Sequence, residues 1–175
     1  MYTWVVATLL AWFCLLPAAA LPEKYRAQVI GVTDGDTIKV LHAGKSETLR
    51  LAQIDCPEKD QDYGRVAKQT TSKLVFQKTV LVAPIGRDRY GRTIAEVQLE
   101  DGKSLNSELV QQGYAWQFTK YSSDQALHAL EEEAKANHRG LWQAPNPLPP
   151  WEFRKHPRNT KEPVSFSEDD VTRFQ

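Results

Sequence analysis

Apolar and polar residues alternate along most of the first hundred positions, which is the period of β-strands with one buried face. Turn residues separate the first three alternating segments, at positions 33–36 and 43–45, and a charged loop at 86–92 separates the last two. Short runs bounded by glycine and aspartate are typical of strands joined by tight turns. The pattern therefore predicts five strands, at 25–32, 37–42, 47–54, 79–84 and 93–99.

Apolar residues at helical spacing predict three helices, at 62–77, 105–112 and 123–137. The second stops before Gly113, a residue type that commonly follows helix C-termini, and the third opens on serines, which cap helix N-termini. The order is three strands, one helix, two strands and two helices. It predicts an α+β fold that is mainly β, a partly open five-stranded Greek-key barrel of the oligonucleotide-binding (OB) type.

The first twenty residues differ from the rest because they contain no charged side chain and end in Ala18-Ala19-Ala20. A short apolar run followed by small residues predicts a signal peptide cleaved after Ala20. The alternative is an uncleaved membrane anchor, because no lysine or arginine precedes the run and its length is near the lower limit for a span. Cleavage would remove Cys14 and leave Cys56 as the single cysteine, so no internal disulfide is expected.

From position 144 onward the chain is rich in proline, which predicts an extended tail. We expect Trp151 and Phe153 to hold its beginning against the barrel and the part beyond about Pro157 to be disordered. The predicted organisation is a signal peptide at 1–20, a barrel domain at 21–143 and a proline-rich tail at 144–175, partly disordered.

Charge limits the classes of function. The 22 basic residues equal the 22 acidic ones, and a protein that coats DNA tightly usually carries a basic excess. A balanced chain can still be an enzyme that needs positive charge only at one phosphate. The four histidines are scattered without zinc spacing, which argues against a zinc site.

Three short segments carry candidate chemistry. The first is Asp34-Gly35-Asp36-Thr37, in which two carboxylates at a strand junction can direct oxygens at a cation, although such a sequence is often only a turn. The second runs from Arg50 to Glu58 and places Asp55 and Glu58 at a strand end before and after Pro57. The alternative interpretation of this segment is that its charged side chains are only solvated at the end of a strand.

The third segment is Asp88-Arg89-Tyr90-Gly91-Arg92. An arginine beside a glycine can present its planar guanidinium to phosphate oxygens, and a tyrosine can stack on a base. The alternative is a charged hairpin tip.

Taken together and in this order, the three segments resemble those of the thermonuclease (staphylococcal nuclease-like) family. The segment from Asn106 to Gly113 and the closing Gly140-Leu141-Trp142 extend the resemblance over positions 25–142. It implies a five-stranded barrel and an enzyme, a phosphodiesterase or endonuclease that depends on Ca²⁺ and takes DNA and RNA as substrates. With the leader it implies a secreted or periplasmic monomer with no stable membrane association.

The resemblance also implies roles for individual residues. Asp36 and Asp55 are similar to the family's calcium-binding carboxylates, with the backbone carbonyl of Cys56 as a further ligand. Arg50 and Arg92 resemble the arginines that bind phosphate, and Glu58 the carboxylate that activates water. The substrate-contacting tyrosines are expected at Tyr90 and Tyr121.

Two departures from the family pattern matter. Cys56 replaces a frequent threonine, and the loop after Glu58 carries Asp60 and Asp62 where other members are longer and rich in lysine. Two other functions therefore stay open. One is a barrel that binds nucleic acid without cleaving it, and the other is a structural secreted module whose tail binds a partner.

Overall fold

The computed structural model describes residues 23–155. The predicted signal peptide and the end of the tail lie outside the described residues. Within 23–155, no helix is both long enough and apolar enough to cross a bilayer.

Five strands form a closed barrel in the order β1-β2-β3-β6-β5. Their bounds are β1 Tyr25–Asp34, β2 Thr37–His42, β3 Lys45–Leu51, β5 Thr79–Arg87 and β6 Thr93–Gln98. All neighbouring pairs are antiparallel except β3 and β6, which are parallel. The predicted mainly β barrel with helices is confirmed. The barrel is closed rather than partly open, because the start of β1 pairs with β5 from Tyr25↔Val82 to Gln28↔Thr79.

The interior of the barrel is aliphatic, because alternate residues of every strand point inward. These side chains are almost fully buried, among them Val29, Ile38, Val40, Leu49, Leu51, Val82 and Val97. Burial of each such side chain contributes about 1.5–3 kcal/mol to folding. With a buried free cysteine and no disulfide among the described residues, this core holds the fold.

The predicted third strand is interrupted. β3 ends at Leu51, and after a turn in which Gln53 has φ 64°, Ile54–Asp55 form a separate short strand, β4. β4 pairs with β7, Trp116–Gln117, in a small second sheet. The sequence did not predict this sheet because a two-residue strand has no period. The interruption turns Asp55 out of the barrel ladder.

Helix α1 spans Gly64–Val75, α2 Leu105–Gln111 and α3 Gln125–Ala136. The first begins two residues later than predicted because Tyr63 has φ 66°, outside the helical region. The third is capped by Asp124, whose carboxylate accepts from the amides of Ala126 and Leu127, rather than by the serines before it.

The tail is not uniformly extended. A 3-10 helix at Gly140–Gln143 precedes a short helix, α4, at Pro150–Phe153. A proline at the first helical position is compatible with a helix, because its fixed φ fits and its missing N–H is not needed there. As expected, Phe153 is buried and Trp151 packs on the domain, stacking on Phe118 with ring centroids 5.3 Å apart.

Candidate active site

Asp36 lies in the turn between β1 and β2 with its carboxylate directed inward. Its Oδ1 accepts from the Thr37 hydroxyl at 3.0 Å, and its Oδ2 accepts from the backbone N–H of Cys56 at 2.9 Å. The close approach depends on Gly35, since a Cβ there would lie 2.7 Å from Cβ of Cys56. The turn therefore brings Asp36 against the backbone that follows Asp55.

Arg50, near the end of β3, joins the two aspartates. Its Nη2 lies 3.1 Å from Oδ2 of Asp36 and 2.8 Å from Oδ1 of Asp55. Its Nη1 donates to the carbonyls of Leu51 at 2.6 Å and Ile54 at 2.9 Å. Four acceptors thus fix the guanidinium, and the break between β3 and β4 supplies two of them.

Burial in this cluster works against the charged form of its carboxylates. It raises the pKa of Asp55, although Arg154 and Arg50 oppose that rise. Burial also raises the pKa of Asp34, with a further contribution from the charges of Asp36 and Glu58. Four carboxylates therefore share one region, and two arginines and the lysines near Asp34 offset part of their negative charge.

These donors fit a hard metal ion. Asp36 and Asp55 offer buried carboxylate oxygens, which are the ligands that Ca²⁺ and Mg²⁺ take. The Cys56 backbone lies beside them through its bond to Asp36. The Cys56 thiol is buried and has its pKa raised well above the usual value by burial and by Asp36, so its backbone rather than its sulfur suits the role.

Glu58 stands at the mouth of the cluster, with its side chain 38% exposed. Its Oε1 accepts from Nη1 of Arg154 at 2.6 Å, and Nη2 of the same arginine bonds to Oδ2 of Asp55 at 2.6 Å. Arg154 thus bridges Glu58 and Asp55. Sequence reasoning did not single out Arg154, because nothing in the sequence links position 154 to position 58.

Arg92 lies just before β6, whose Thr93 pairs with Leu49, the neighbour of Arg50 on β3. Its Nε donates to Oδ2 of Asp88 at 2.6 Å. No hydrogen bond or ion pair joins it to the clustered carboxylates within residues 23–155. Arg92 therefore lies at the start of the β3–β6 pair, two residues before Ile94, which is the partner of Arg50, and its side chain is held by the hairpin.

An open groove of about 590 Å³ adjoins this hairpin. Arg92, Tyr90 and Arg87 line it together with the end of β2, the start of β3 and the turn between them, including the carboxylate of Glu47. Tyr90 is 68% exposed, and the guanidinium carbons of Arg89 and Arg92 lie 4.8 and 5.5 Å from its ring centroid. The groove offers positive charge and an exposed ring, which suits a nucleic acid strand.

Tyr121 belongs to a different surface. It is equally exposed and packs edge-on against Phe118, with ring centroids 4.9 Å apart. Phe118 stacks in turn on Trp151. The two candidate substrate tyrosines therefore lie on separate surfaces, Tyr90 beside arginines of the hairpin and Tyr121 in an aromatic group that includes Trp151 of the tail.

A second acidic group occurs on α3. His128, Glu131 and Glu132 are the one trio of potential ligand side chains within residues 23–155 whose atoms lie within 4.8 Å of one another. Lys135 pairs with both glutamates, at 3.1 and 2.8 Å. Pairs three and four residues apart on a helix face account for this group.

The family described as staphylococcal nuclease homologue matches residues 48–144, a stretch that contains Arg50, Asp55, Glu58 and Arg92 but begins after Asp36. A protein of Escherichia coli O157:H7 named an uncharacterized endonuclease is 44% identical over 127 residues, 73% of this chain and 83% of the relative. A Haemophilus influenzae protein of the same name is 41% identical over 152 residues, 86% and 84% of the two chains. A micrococcal nuclease of Shigella flexneri is 37% identical over 145 residues, 77% and 83%.

Proposed function

Because the chain belongs to the staphylococcal nuclease homologue family and is a nuclease acting on nucleic acid, we propose that it is an exported, calcium-dependent phosphodiesterase of DNA and RNA. The observation that carries this proposal is the convergence of Asp36, Arg50 and Asp55 within 3.1 Å contacts, with Glu58 linked to Asp55. In the proposed reaction, which a metal ion would assist, water attacks the phosphorus atom of a phosphodiester. One P–O ester bond breaks, and the sugar hydroxyl leaves.

Calcium is the proposed cofactor, in a family of metal-dependent enzymes. Asp36, Asp55 and the Cys56 carbonyl would hold it. The flexible coordination shell of Ca²⁺ suits a site with few protein ligands, because water and phosphate complete it. When bound, the ion would offset the negative charge of the phosphodiester and of its transition state.

The two arginines are proposed to bind the phosphate. Arg50 is oriented by two carbonyls and two carboxylates. When metal and phosphate bind, its contacts with the two carboxylates would be exchanged for contacts with the phosphate, while the two carbonyls keep the guanidinium in place. Arg92 is held through Nε by Asp88, which leaves the outer edge of its guanidinium for phosphate oxygens. Both would stabilise the charge that develops on the phosphorane-like transition state.

Glu58 is proposed to accept the proton of the attacking water. Its partial exposure gives water access, and a carboxylate bonded at one oxygen keeps lone pairs for a second partner. Tyr90 and Tyr121 are proposed to contact nucleotides of the substrate near the phosphate that is cleaved. The protein is proposed to act as a monomer.

Purified protein lacking the first twenty residues is expected to cleave both plasmid DNA and RNA with Ca²⁺ and to lose this activity in a calcium chelator. Mg²⁺ is expected to support much less turnover because its rigid octahedron aligns substrate poorly at this site. Product size on gels and acid-soluble release measure the reaction. Binding of DNA without cleavage under every condition would instead support the non-catalytic barrel, and full activity in chelator would exclude the proposed metal.

Export is proposed from the apolar leader. Expression of the full chain in a Gram-negative host is expected to give a periplasmic product whose first residue is Leu21, because the small residues before it suit signal peptidase. N-terminal sequencing of the fractionated protein measures this. A membrane-bound product that retains Met1 would support the anchor instead.

A further inference from the structure

Arg154 lies at the active-site cluster because the residues just before it in the chain are packed against the domain. It follows α4 directly, and α4 is held by Phe153, which is 8% exposed, and by Trp151. Trp151 stacks on Phe118 at an interplanar angle of 7° and meets Trp116 edge-on at 5.8 Å. The backbone before Arg154 is therefore anchored on the β7 side of the domain, although it lies beyond the family match.

The guanidinium of Arg154 spans two carboxylates that differ in their other partners. Asp55 also bonds to Arg50 at 2.8 Å, so its orientation does not depend on Arg154 alone. The Glu58 carboxylate makes its hydrogen bond to Arg154, and no other hydrogen bond to that carboxylate occurs within residues 23–155. Among the described side chains, Arg154 is thus what fixes the direction of Glu58.

We propose that Arg154 is a positioning residue that holds the Glu58 carboxylate beside Asp55, an inference that rests on the proposed nuclease reaction. A glutamate on a partly exposed loop samples several rotamers, and fixing one of them costs conformational entropy. Because Arg154 already holds the Glu58 carboxylate in one rotamer, this cost does not add to the reaction barrier. Charge-assisted hydrogen bonds from the planar guanidinium of Arg154 set both the distance and the angle between the two carboxylates. Oε2 and the remaining lone pair of Oε1 stay available to water.

Two other roles for Arg154 would give different experimental results. As a competitor of the metal, Arg154 would weaken cation binding, and its removal would tighten it. As a further phosphate ligand, it would act independently of Glu58. Both alternatives predict results different from those of a positioning residue.

The test compares Arg154→Met, which keeps the apolar stem, with Arg154→Lys and with the control Lys155→Met. Lys155 pairs only with Glu152 among the described residues, at 2.9 Å. Arg154→Met is expected to lower kcat by about ten- to a hundredfold, because a misplacement of about 1 Å can cost that much. KM and the Ca²⁺ affinity measured by calorimetry without substrate should change less than about threefold, and Arg154→Lys should recover part of kcat.

The same substitution in a Glu58→Gln background gives the decisive comparison. If Arg154 acts through Glu58, Arg154→Met adds no further loss there, since coupled residues are not additive. Wild-type kcat in Arg154→Met, the same fold loss in both backgrounds, or a many-fold gain in Ca²⁺ affinity would each overturn the proposal. Failure of the nuclease proposal is seen separately, as absence of cleavage by the wild-type protein. Full activity of Glu58→Gln in an active nuclease would remove Glu58 as the base and overturn the role of Arg154 with it. Thermal melting and intrinsic tryptophan fluorescence verify that the tail stays packed, and Arg154→Lys serves if Arg154→Met does not fold.

Discussion

Replacing Glu58 with glutamine is expected to lower kcat by about a hundred- to ten-thousandfold, which is the usual contribution of a general base. Glutamine keeps the size of the side chain and can still accept a hydrogen bond from Arg154 through its amide oxygen. It cannot take a proton from water. The loss should therefore appear in kcat at saturating Ca²⁺ and substrate, measured by initial rates on a defined oligonucleotide.

The matched control for Glu58→Gln is Glu152→Gln. Glu152 also lies near the tail but pairs with Lys155, away from the carboxylate cluster. Its replacement should leave kcat within about twofold, since exposed ion pairs contribute little. If Glu58→Gln kept more than about a third of wild-type kcat, another group would have to be the base.

Replacing either Arg50 or Arg92 with alanine is expected to lower kcat by about a hundred- to a thousandfold, or roughly 3–4 kcal/mol of transition-state stabilisation. The two variants should differ in stability. Arg92 pairs with the hairpin residue Asp88, and the two side chains are 31% and 15% exposed, so its loss should lower the free energy of unfolding by about 1 kcal/mol, less than the loss of Arg50. Arg50 neutralises Asp36 and Asp55, whose side chains are 9% and 2% exposed.

Arg50→Ala leaves those two buried carboxylates without their shared partner, which should cost about 3 kcal/mol of unfolding free energy at neutral pH. The pKa of Asp55, already raised by burial, should rise further. A carboxyl whose native pKa exceeds its unfolded value loses stability as pH rises through that window, so the deficit should shrink on acidification.

Chemical denaturation of wild type, Arg50→Ala and Arg92→Ala at neutral and acidic pH measures this contrast. Equal stability of the two variants at neutral pH would mean that water, and not Arg50, stabilises the negative charges of Asp36 and Asp55. Retention of near-wild-type turnover by either variant would remove that arginine from the proposed phosphate site.

The barrel could be predicted because its signals are local. Alternating residues such as Val29, Ile38 and Leu49 report which face of a strand is buried, and glycine and aspartate report the turns between strands. Helices α1, α2 and α3 were predicted for the same reason, with small errors at their ends where single residues such as Tyr63 adopt positive φ. Motif resemblance then selected the candidate chemistry, from Asp36 to Arg92.

Other features could not be predicted because they depend on contacts between distant positions. Barrel closure needs Tyr25 to pair with Val82, and the break that turns Asp55 towards Arg50 needs Trp116 as a strand partner. Arg154 lies 96 positions from Glu58 and reaches it only because aromatic packing fixes α4.

The sequence by itself determined the fold class, the family and the residue types available for catalysis, since hydrophobic period and short motifs are properties of neighbouring residues. Only the tertiary structure decided which charges meet. Arg50 meets Asp36 and Asp55, Arg92 meets Asp88, and Arg154 joins Glu58 to Asp55. The physical reason is that an ion pair requires approach within a few ångströms, and chain folding rather than chain order sets that distance.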